Sequence, residues 1–260
     1  MAGEGERGRL VRLKLLLDGD AGEFHMNQAS LFQGVLMEQI DPEYAQYLHE
    51  QGLKPYSQYL ELKDRSAWNI CSLSEEAYER IIVPCMQDSF SQICLKRRDE
   101  DRVISIIGRE AEELQLDTLF RNFYSQDASD MFRLEFTSPT AFKKDGRYHF
   151  FPEMYNIYQS LMRRFDEVTD RGNMFSQDTL EQLTDATEIC GYSLRSVRFS
   201  MEGIRIPAFM GSITIKLHGG QTMRNFARLL FEFGQYSGVG IKTAIGMGSM
   251  QFEEKGRRSV

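Results

Sequence analysis

One order of strand-like and helix-like patterns occurs twice along the chain, and this repetition constrains the fold more than any other feature. A strand-like run has apolar residues at every second position, and a helix-like run has them every three or four residues. Each half shows such runs in the approximate order β-α-α-β-β-α-β. That order fits a ferredoxin-like unit with an antiparallel sheet. The sequence therefore predicts an α+β protein of two tandem ferredoxin-like (RRM-like) domains, residues 1–125 and 126–260.

The first half contains two consecutive helices, and the second of them has clear boundary signals. Asp41 is a favoured N-cap residue, and Pro42 is favoured at the first helical position. Gly52 is expected to end this helix. The other elements predicted for this half are strands at 11–17, 56–62, 67–73, near 91–96 and at 103–114, and helices at 30–40, 74–85 and 117–124.

The second half is expected to repeat this outline. Pro152 opens a predicted helix that runs to about residue 168, and Ser176 caps another that runs to Cys190. A strongly amphipathic helix is predicted over Gln221–Tyr236. The strands predicted for this half lie at 131–137, 194–201, 206–217 and 247–253.

The composition is that of a globular chain, with 42% hydrophobic and 27% charged residues among 260. No apolar run approaches the roughly 20 residues of a membrane helix. Residues 1–8 resemble a frayed polar leader and lack the apolar core of a signal peptide, so the cytoplasm is the expected compartment. The cysteines contain no C-x-x-C pair, which argues against a zinc site and predicts reduced thiols. They are Cys71, Cys85, Cys94 and Cys190.

Charge is distributed unevenly along the chain, whose net charge is −7. Residues 126–260 contain 17 Lys and Arg against 16 Asp and Glu, and residues 1–125 contain 14 against 22. A local basic strip on an acidic protein favours selective binding of a polyanion, although any long helix or strand can have a charged face. The strip at 195–242 has Glu202 and Glu232 as its only acids, and its cations are Arg195, Arg198, Arg205, Lys216, Arg224, Arg228 and Lys242.

A glycine-rich segment, residues 238–248, lies between the last predicted helix and the last predicted strand. Glycine lets the main chain approach a ligand closely, and exposed N–H groups beside a lysine can hold an anion. The segment follows a helix instead of opening one, so it is neither a phosphate-binding loop nor a dinucleotide fingerprint. A tight turn is the alternative, but four glycines around a lysine favour contact with nucleic acid. The candidate RNA-binding residues here are Gly238, Gly240, Lys242, Thr243, Gly246 and Gly248.

His49 and Lys54 form a candidate catalytic pair in the first half. A histidine can move a proton near neutral pH, and a lysine can stabilise a phosphorane-like transition state. This pair suits RNA cleavage in which the ribose 2′-OH attacks its own phosphate, leaving a 2′,3′-cyclic phosphate and a 5′-OH. Spacing alone favours the simpler interpretation that His49 is a surface helix residue and Lys54 a solvated cation.

The remaining histidines and charge runs give weaker signals. No histidine or carboxylate grouping predicts a metal site, and no cofactor is expected. The run at 96–101 is most simply a solvated face. A set of cations can contact phosphate or lie on an ordinary surface: Lys143, Lys144, Arg147, Arg163 and Arg164.

Several stretches resemble the RAMP superfamily, and within it the sixth family of CRISPR-associated proteins, endoribonucleases that cut precursor CRISPR RNA within its repeats. The glycine-rich segment resembles their C-terminal signature, and the combination of stretches in both halves makes the resemblance specific. The other matching stretches are residues 32–36, 47–50, 54–56, 136–143, 151–152 with Leu161, and 209–215.

The resemblance implies two ferredoxin-like domains, His49 as general acid/base, Lys54 as transition-state cation, and no metal. It implies that the repeat RNA binds at the glycine-rich segment and a basic cleft, to which Arg195, Arg198 and Arg224 are assigned. Other CRISPR effector subunits and a second copy of the chain are candidate partners.

One position departs from the family pattern. Some relatives have a catalytic tyrosine on the first helix, where this chain has Met37, which can neither donate a hydrogen bond nor transfer a proton. Tyr47 or Tyr56 is a possible substitute, and Tyr47 is the one assigned to the catalytic set. A non-catalytic, repeat-binding subunit of an effector complex is the alternative function. A duplicated ferredoxin-like protein with a metabolic ligand is a third.

Overall fold

The structure is a computed structural model that describes residues 8–19, 21–63, 65–96, 101–169, 175–201 and 203–256. Most of the predicted leader (1–7), most of the charge run (97–100) and Glu202 lie outside these ranges. Two large antiparallel sheets, one from each half of the chain, form the framework. No helix in the described ranges has both the length and the apolar character needed to cross a membrane.

The first sheet has five strands in the order β2-β3-β1-β5-β4. Its central strand, β1, has alternate side chains buried, as the period-two pattern predicts. A π-helical segment, Tyr78–Ile82, joins α3 to α4. The elements of this half are β1 (Arg9–Leu17), α1 (Ala29–Gln39), α2 (Pro42–Glu50), β2 (Tyr56–Leu62), β3 (Ser66–Ser72), α3 (Glu75–Ala77), α4 (Val83–Met86), β4 (Gln92–Leu95), β5 (Arg102–Gln115) and α5 (Leu116–Ser125).

The fifth strand, β5, is the main departure from the repeated outline, which has four strands in each half. It pairs directly with β1, and β4 pairs on its outer side. Opposite charges face each other along the β1–β5 ladder, where Arg12 lies beside Glu112 and Lys14 beside Glu110. Such cross-strand pairs stabilise one register. They favour the long β5 over the short β4 as the partner of β1.

The second sheet has four strands in the order β11-β6-β10-β9. Its first strand, β6, lies between the last strand, β11, and the third, β10. The first sheet has the same arrangement when β5 is counted as its last strand. The elements of this half are β6 (Met131–Thr140), β7 (Phe142–Lys144), β8 (Arg147–His149), α6 (Met154–Val168), α7 (Gln177–Asp185), β9 (Thr187–Met201), β10 (Ile204–Leu217), α8 (Gln221–Ser237) and β11 (Met250–Glu254).

The predicted fold class, tandem ferredoxin-like domains with antiparallel sheets, is confirmed, but the predicted end of one helix was wrong and one hairpin was missed. The helix capped by Ser176 ends at Asp185, and Cys190 lies in β9. The reason is that the first residues of β9, which include the β-branched Thr187 and Ile189, already pair with the end of β10. In addition, β7 and β8 form a small hairpin that the sequence analysis did not identify.

The two halves are joined by shared cores. Phe199 and Ile206, on the end of the β9–β10 ribbon, are buried in the core of the first half. In return, Leu10 of β1 and Leu73, which follows β3, pack into the core of the second half. The candidate site lies along this junction, so its geometry depends on both halves.

A division at residues 125 and 126 stays a proposal. α5 ends at that point, but it packs against α8 of the second half. Arg228 of α8 donates hydrogen bonds to the carbonyl oxygens of Asn122 and Gln126, at 2.7 and 2.8 Å. The segment 116–125 therefore contacts both halves.

Candidate active site

The end of α2 presents His49 to solvent. The Asp41 side chain accepts a hydrogen bond from the Tyr44 N–H at 2.9 Å, and Pro42 is the first helical residue. Tyr44 and Leu48 are buried and hold the helix on the core of the first half. His49 lies in the last turn, and its side chain is exposed. Its imidazole can therefore reach a bound substrate.

The Lys54 side chain caps the C-terminus of α2. Its Nζ donates to the carbonyl oxygen of His49 at 3.4 Å and also to that of Gln51. A cation here interacts favourably with the helix dipole and with the last free carbonyls. An ammonium group has three N–H donors, so one remains for a ligand. Partial burial lowers the pKa of Lys54 below its ordinary value.

One face of α6 connects this pair to the glycine-rich segment. Arg164 Nη2 lies 3.5 Å from the carbonyl oxygen of Lys54, and Ser160 Oγ accepts a hydrogen bond from the N–H of Gly240 at 2.8 Å. These two α6 residues are four positions apart, which is about 6 Å along a helix. The main chains of Lys54 and Gly240 therefore both contact α6, about one turn apart.

The glycine-rich segment has the backbone angles that glycine permits. Positive φ angles occur at Gly238, Gly240, Gly246 and Gly248, and Lys242 is also left-handed, at φ 57°. A Cβ on Gly240 would overlap the Ala141 carbonyl oxygen, and a Cβ on Gly246 would overlap Ala29 of α1. The close approaches seen here are thus to the protein's own atoms.

Most of this segment is packed against the first half. Gly238, Thr243, Gly246 and Gly248 are buried, while Gly240 and Lys242 are half-buried. The N–H groups of most of its residues already bind protein acceptors. The segment is therefore a tight turn at the junction, and its accessible part is the side that contains Gly240 and Lys242.

A basic cleft of about 330 Å³ lies beside Gly240. It lies between α6 and the β7–β8 hairpin, and its cations are Lys143, Lys144 and Arg163. Tyr155 and Gln159 contribute an aromatic ring and an amide from the same face of α6. Cations with an accessible ring are suited to a nucleic acid backbone and its bases.

The three assigned arginines lie apart from this cleft. Arg195 lines a larger cleft of about 570 Å³ between the two sheets, which contains none of the three candidate catalytic residues. Arg198 is exposed three positions further along β9, on the opposite face of the strand. Arg224 is half-buried in the first turn of α8, and the glycine-rich segment follows the other end of that helix.

Tyr47 is also separated from His49. The two residues are two positions apart on α2, so their side chains do not face each other. The Tyr47 ring stacks on Tyr44, with centroids 5.7 Å apart, and is 45% exposed. Tyr56, the other substitute considered, is buried, and burial raises its pKa to about 12. The structure thus places the Lys54 ammonium at the main chain of His49, and Tyr47 does not face the His49 side chain.

Two other histidines make local hydrogen bonds. His218 pairs with Glu188 at 2.9 Å, and His25 Nδ1 accepts a hydrogen bond from the Asn27 N–H at 3.2 Å. All four cysteines are free. Within the described ranges, no three His, Cys, Asp or Glu side chains are grouped so that they could hold a metal ion.

Comparison with known proteins gives the family. The model of CRISPR-associated endoribonuclease Cas6 matches residues 134–250. A Cas6 endoribonuclease of Streptococcus thermophilus is 33% identical over 225 residues, which is 86% of this chain and 90% of that protein. This chain belongs to the Cas6 family. A Cas6 endoribonuclease of Mycobacterium tuberculosis is 32% identical over 249 residues, 94% of this chain and 78% of that protein.

Solved Cas6 structures show the same fold. A Cas6 product complex has a TM-score of 0.75 at 21% identity, with 95% of this chain and all of that chain covered. A Thermus thermophilus Cas6 protein has a TM-score of 0.70 at 20% identity, with 96% and 100% covered. The chain therefore belongs to a family of CRISPR-associated endoribonucleases.

Because Tyr47 faces away from His49, replacing it with phenylalanine is expected to change the rate of RNA cleavage by no more than about 2-fold. The measurement is cleavage of repeat RNA under single-turnover conditions. Loss of a general acid or base slows a reaction by about 10²–10⁴. A decrease of that size in Tyr47→Phe would show that the hydroxyl takes part in proton transfer.

Tyr155 and Gln159 were not predicted from the sequence as residues of the Cas6 site. Arg164 was expected to contact phosphate or to lie on the surface, and it is buried instead. Helical spacing contains the relevant signal. Tyr155 and Gln159 precede Arg163 by eight and four positions and so share its face. Arg164 follows the apolar Leu161 by three positions, which places it on the buried side of α6.

Proposed function

We propose that this Cas6 protein cuts CRISPR repeat RNA without a metal ion. In this reaction the ribose 2′-OH attacks the adjacent phosphate, and the products have a 2′,3′-cyclic phosphate and a 5′-OH. The proposal rests mainly on one observation: the exposed imidazole of His49 and the ammonium of Lys54 share the end of α2, and α6 connects that end to a basic cleft.

The chemistry needs one proton removed and one supplied. The 2′ oxygen loses its proton as its bond to phosphorus forms, and the 5′ oxygen gains a proton as its bond to phosphorus breaks. Neutral His49 can accept the first proton, or protonated His49 can donate the second. The free N–H donor of Lys54 is suited to the extra negative charge on the phosphate oxygens.

The RNA is proposed to follow the basic cleft beside Gly240 toward His49. Lys143, Lys144 and Arg163 would bind phosphates, and Tyr155 would stack on a base. The glycine-rich segment would contribute its accessible Gly240–Lys242 side. Arg195 and Arg198 would bind a more distant part of the repeat, and the structure provides no link between Arg224 and this path.

The test is cleavage of an RNA that carries one repeat, in EDTA, with analysis of the new ends. The expected result is one cut that leaves a cyclic phosphate. An otherwise identical RNA with a single 2′-deoxy ribose at the cut position is expected to resist, since it lacks the attacking group. If both RNAs are cut equally well, the proposed mechanism is wrong.

A non-catalytic repeat-binding subunit remains the second candidate, because of Met37. This side chain lies on α1, where it packs against the core of the first half and offers no proton. The same assay separates the two functions. Tight binding of the repeat without any cut would select the second.

A further inference from the structure

Arg164 is a buried charge with few partners. It lies on α6 beside the core residues Leu161 and Phe165, and only 5% of it is exposed. Among the described residues, its guanidinium makes one hydrogen bond, to the carbonyl oxygen of Lys54 at 3.5 Å. Within the part of the chain that the structure describes, its Nε has no partner. Burial lowers the pKa of Arg164 to about 10, so it remains protonated at neutral pH.

Packing alone does not explain this arginine. Removing a guanidinium from water without a counter-ion destabilises the folded state, and an apolar side chain of similar length would fill the same space at less cost. The neighbouring Arg163 shows the ordinary alternative, an exposed cation whose guanidinium lies over the Phe175 ring, 5.2 Å from its centroid. The presence of Arg164 therefore needs an explanation other than stabilisation of the core.

The contact with Lys54 provides this explanation. The segment between α2 and β2 is exposed at Gly52 and Leu53, and Pro55, the residue after Lys54, has no N–H to donate. The Nζ bonds of Lys54 end on carbonyls of its own half. Arg164 connects the main chain of Lys54 to α6, the helix whose Ser160 holds Gly240.

We propose that Arg164 is a positioning residue, which holds Lys54 and the His49 end of α2 in place relative to the RNA cleft of the second half. This inference rests on the proposed function for its effect on cleavage. It does not require Arg164 to touch the RNA.

The first test is Arg164→Met, which keeps the length and removes the charge. Cleavage at saturating RNA is expected to fall by about 10- to 100-fold, the effect of displacing a catalytic group by about 1 Å. The dissociation constant for RNA should change by less than about 2-fold, and the thermal unfolding midpoint should not decrease. Arg164→Lys can still donate one hydrogen bond, so its rate should lie between those of Arg164→Met and the unchanged protein.

A double-mutant cycle with Lys54→Ala separates positioning from general damage. If Arg164 acts through Lys54, Arg164→Met should have little further effect in the Lys54→Ala background. Arg121→Met, at an exposed arginine of α5, is the matched control and should cut at the unchanged rate. An undiminished cleavage rate in Arg164→Met would overturn the inference. So would an equal loss of rate when Arg164→Met is made in the unchanged protein and in the Lys54→Ala variant. So would a loss that appears only as weaker RNA binding.

A second readout does not depend on cutting. Amide hydrogen exchange in a peptide that covers Gln51–Lys54 should be roughly 10-fold faster in Arg164→Met, because the segment has lost its link to α6. Unchanged exchange there would refute the positioning role even if the RNA assay succeeds. If exchange increases but the unchanged protein cuts no repeat RNA, then the proposed function fails and the structural link stands.

Discussion

Replacing His49 with alanine is expected to slow cleavage of repeat RNA by about 10²–10⁴, the usual contribution of a general acid or base. The imidazole is exposed at the end of α2 and does not hold the core together, so the fold and RNA binding should survive. The measurement is the single-turnover rate at saturating RNA, together with the dissociation constant. Both are needed because only the rate depends on proton transfer.

His218→Ala is the matched control for this experiment. His218 is also exposed, pairs only with Glu188 in the described ranges, and precedes the end of α8 that is far from the glycine-rich segment. Its loss should leave the rate unchanged. Equal rates for His49→Ala and the unchanged protein would remove His49 from the mechanism. Loss of binding in His49→Ala would instead give it a role in holding the RNA.

Local signals in the sequence predicted the candidate catalytic end of α2 well. The Asp41 cap and Pro42 fix where the helix begins, and its apolar residues fix which face is buried. The exposure of His49 follows directly from those two facts. The alternating strands and the repeated order of elements likewise predicted both sheets, because a period-two pattern needs no information from distant residues.

Contacts between distant residues could not be predicted in the same way. The choice of β5 over β4 as the partner of β1 depends on residues about 100 positions apart. The burial of the glycine-rich segment depends on α1 and β2, which lie in the other half of the chain. Arg163 and Arg164 look alike in the sequence, but one lines a cleft and the other is buried at the junction.

Gly248→Ala is expected to destabilise the protein by about 2–5 kcal/mol, the combined cost of a strained backbone and of overpacking. Gly248 has φ +74°, and a Cβ there would overlap the carbonyl oxygen of Val239. Its own carbonyl oxygen accepts a hydrogen bond from the Val239 N–H at 2.8 Å, so the methyl group would disturb the pairing that closes the segment. Urea unfolding at unchanged slope would measure the loss.

Gly34→Ala is the control that shows whether the position of the glycine causes the loss of stability expected in Gly248→Ala. Gly34 lies within α1, is exposed, and has open space where a Cβ would be. Alanine there should stabilise the protein by about 0.4–1 kcal/mol, since it restricts only the unfolded chain. Opposite signs at the two positions would show that the glycine-rich segment needs glycine in order to fold against its own protein. If Gly248→Ala instead unfolds like the unchanged protein but binds repeat RNA at least 10-fold more weakly, the glycine serves the RNA directly, and the packed turn is not what requires it.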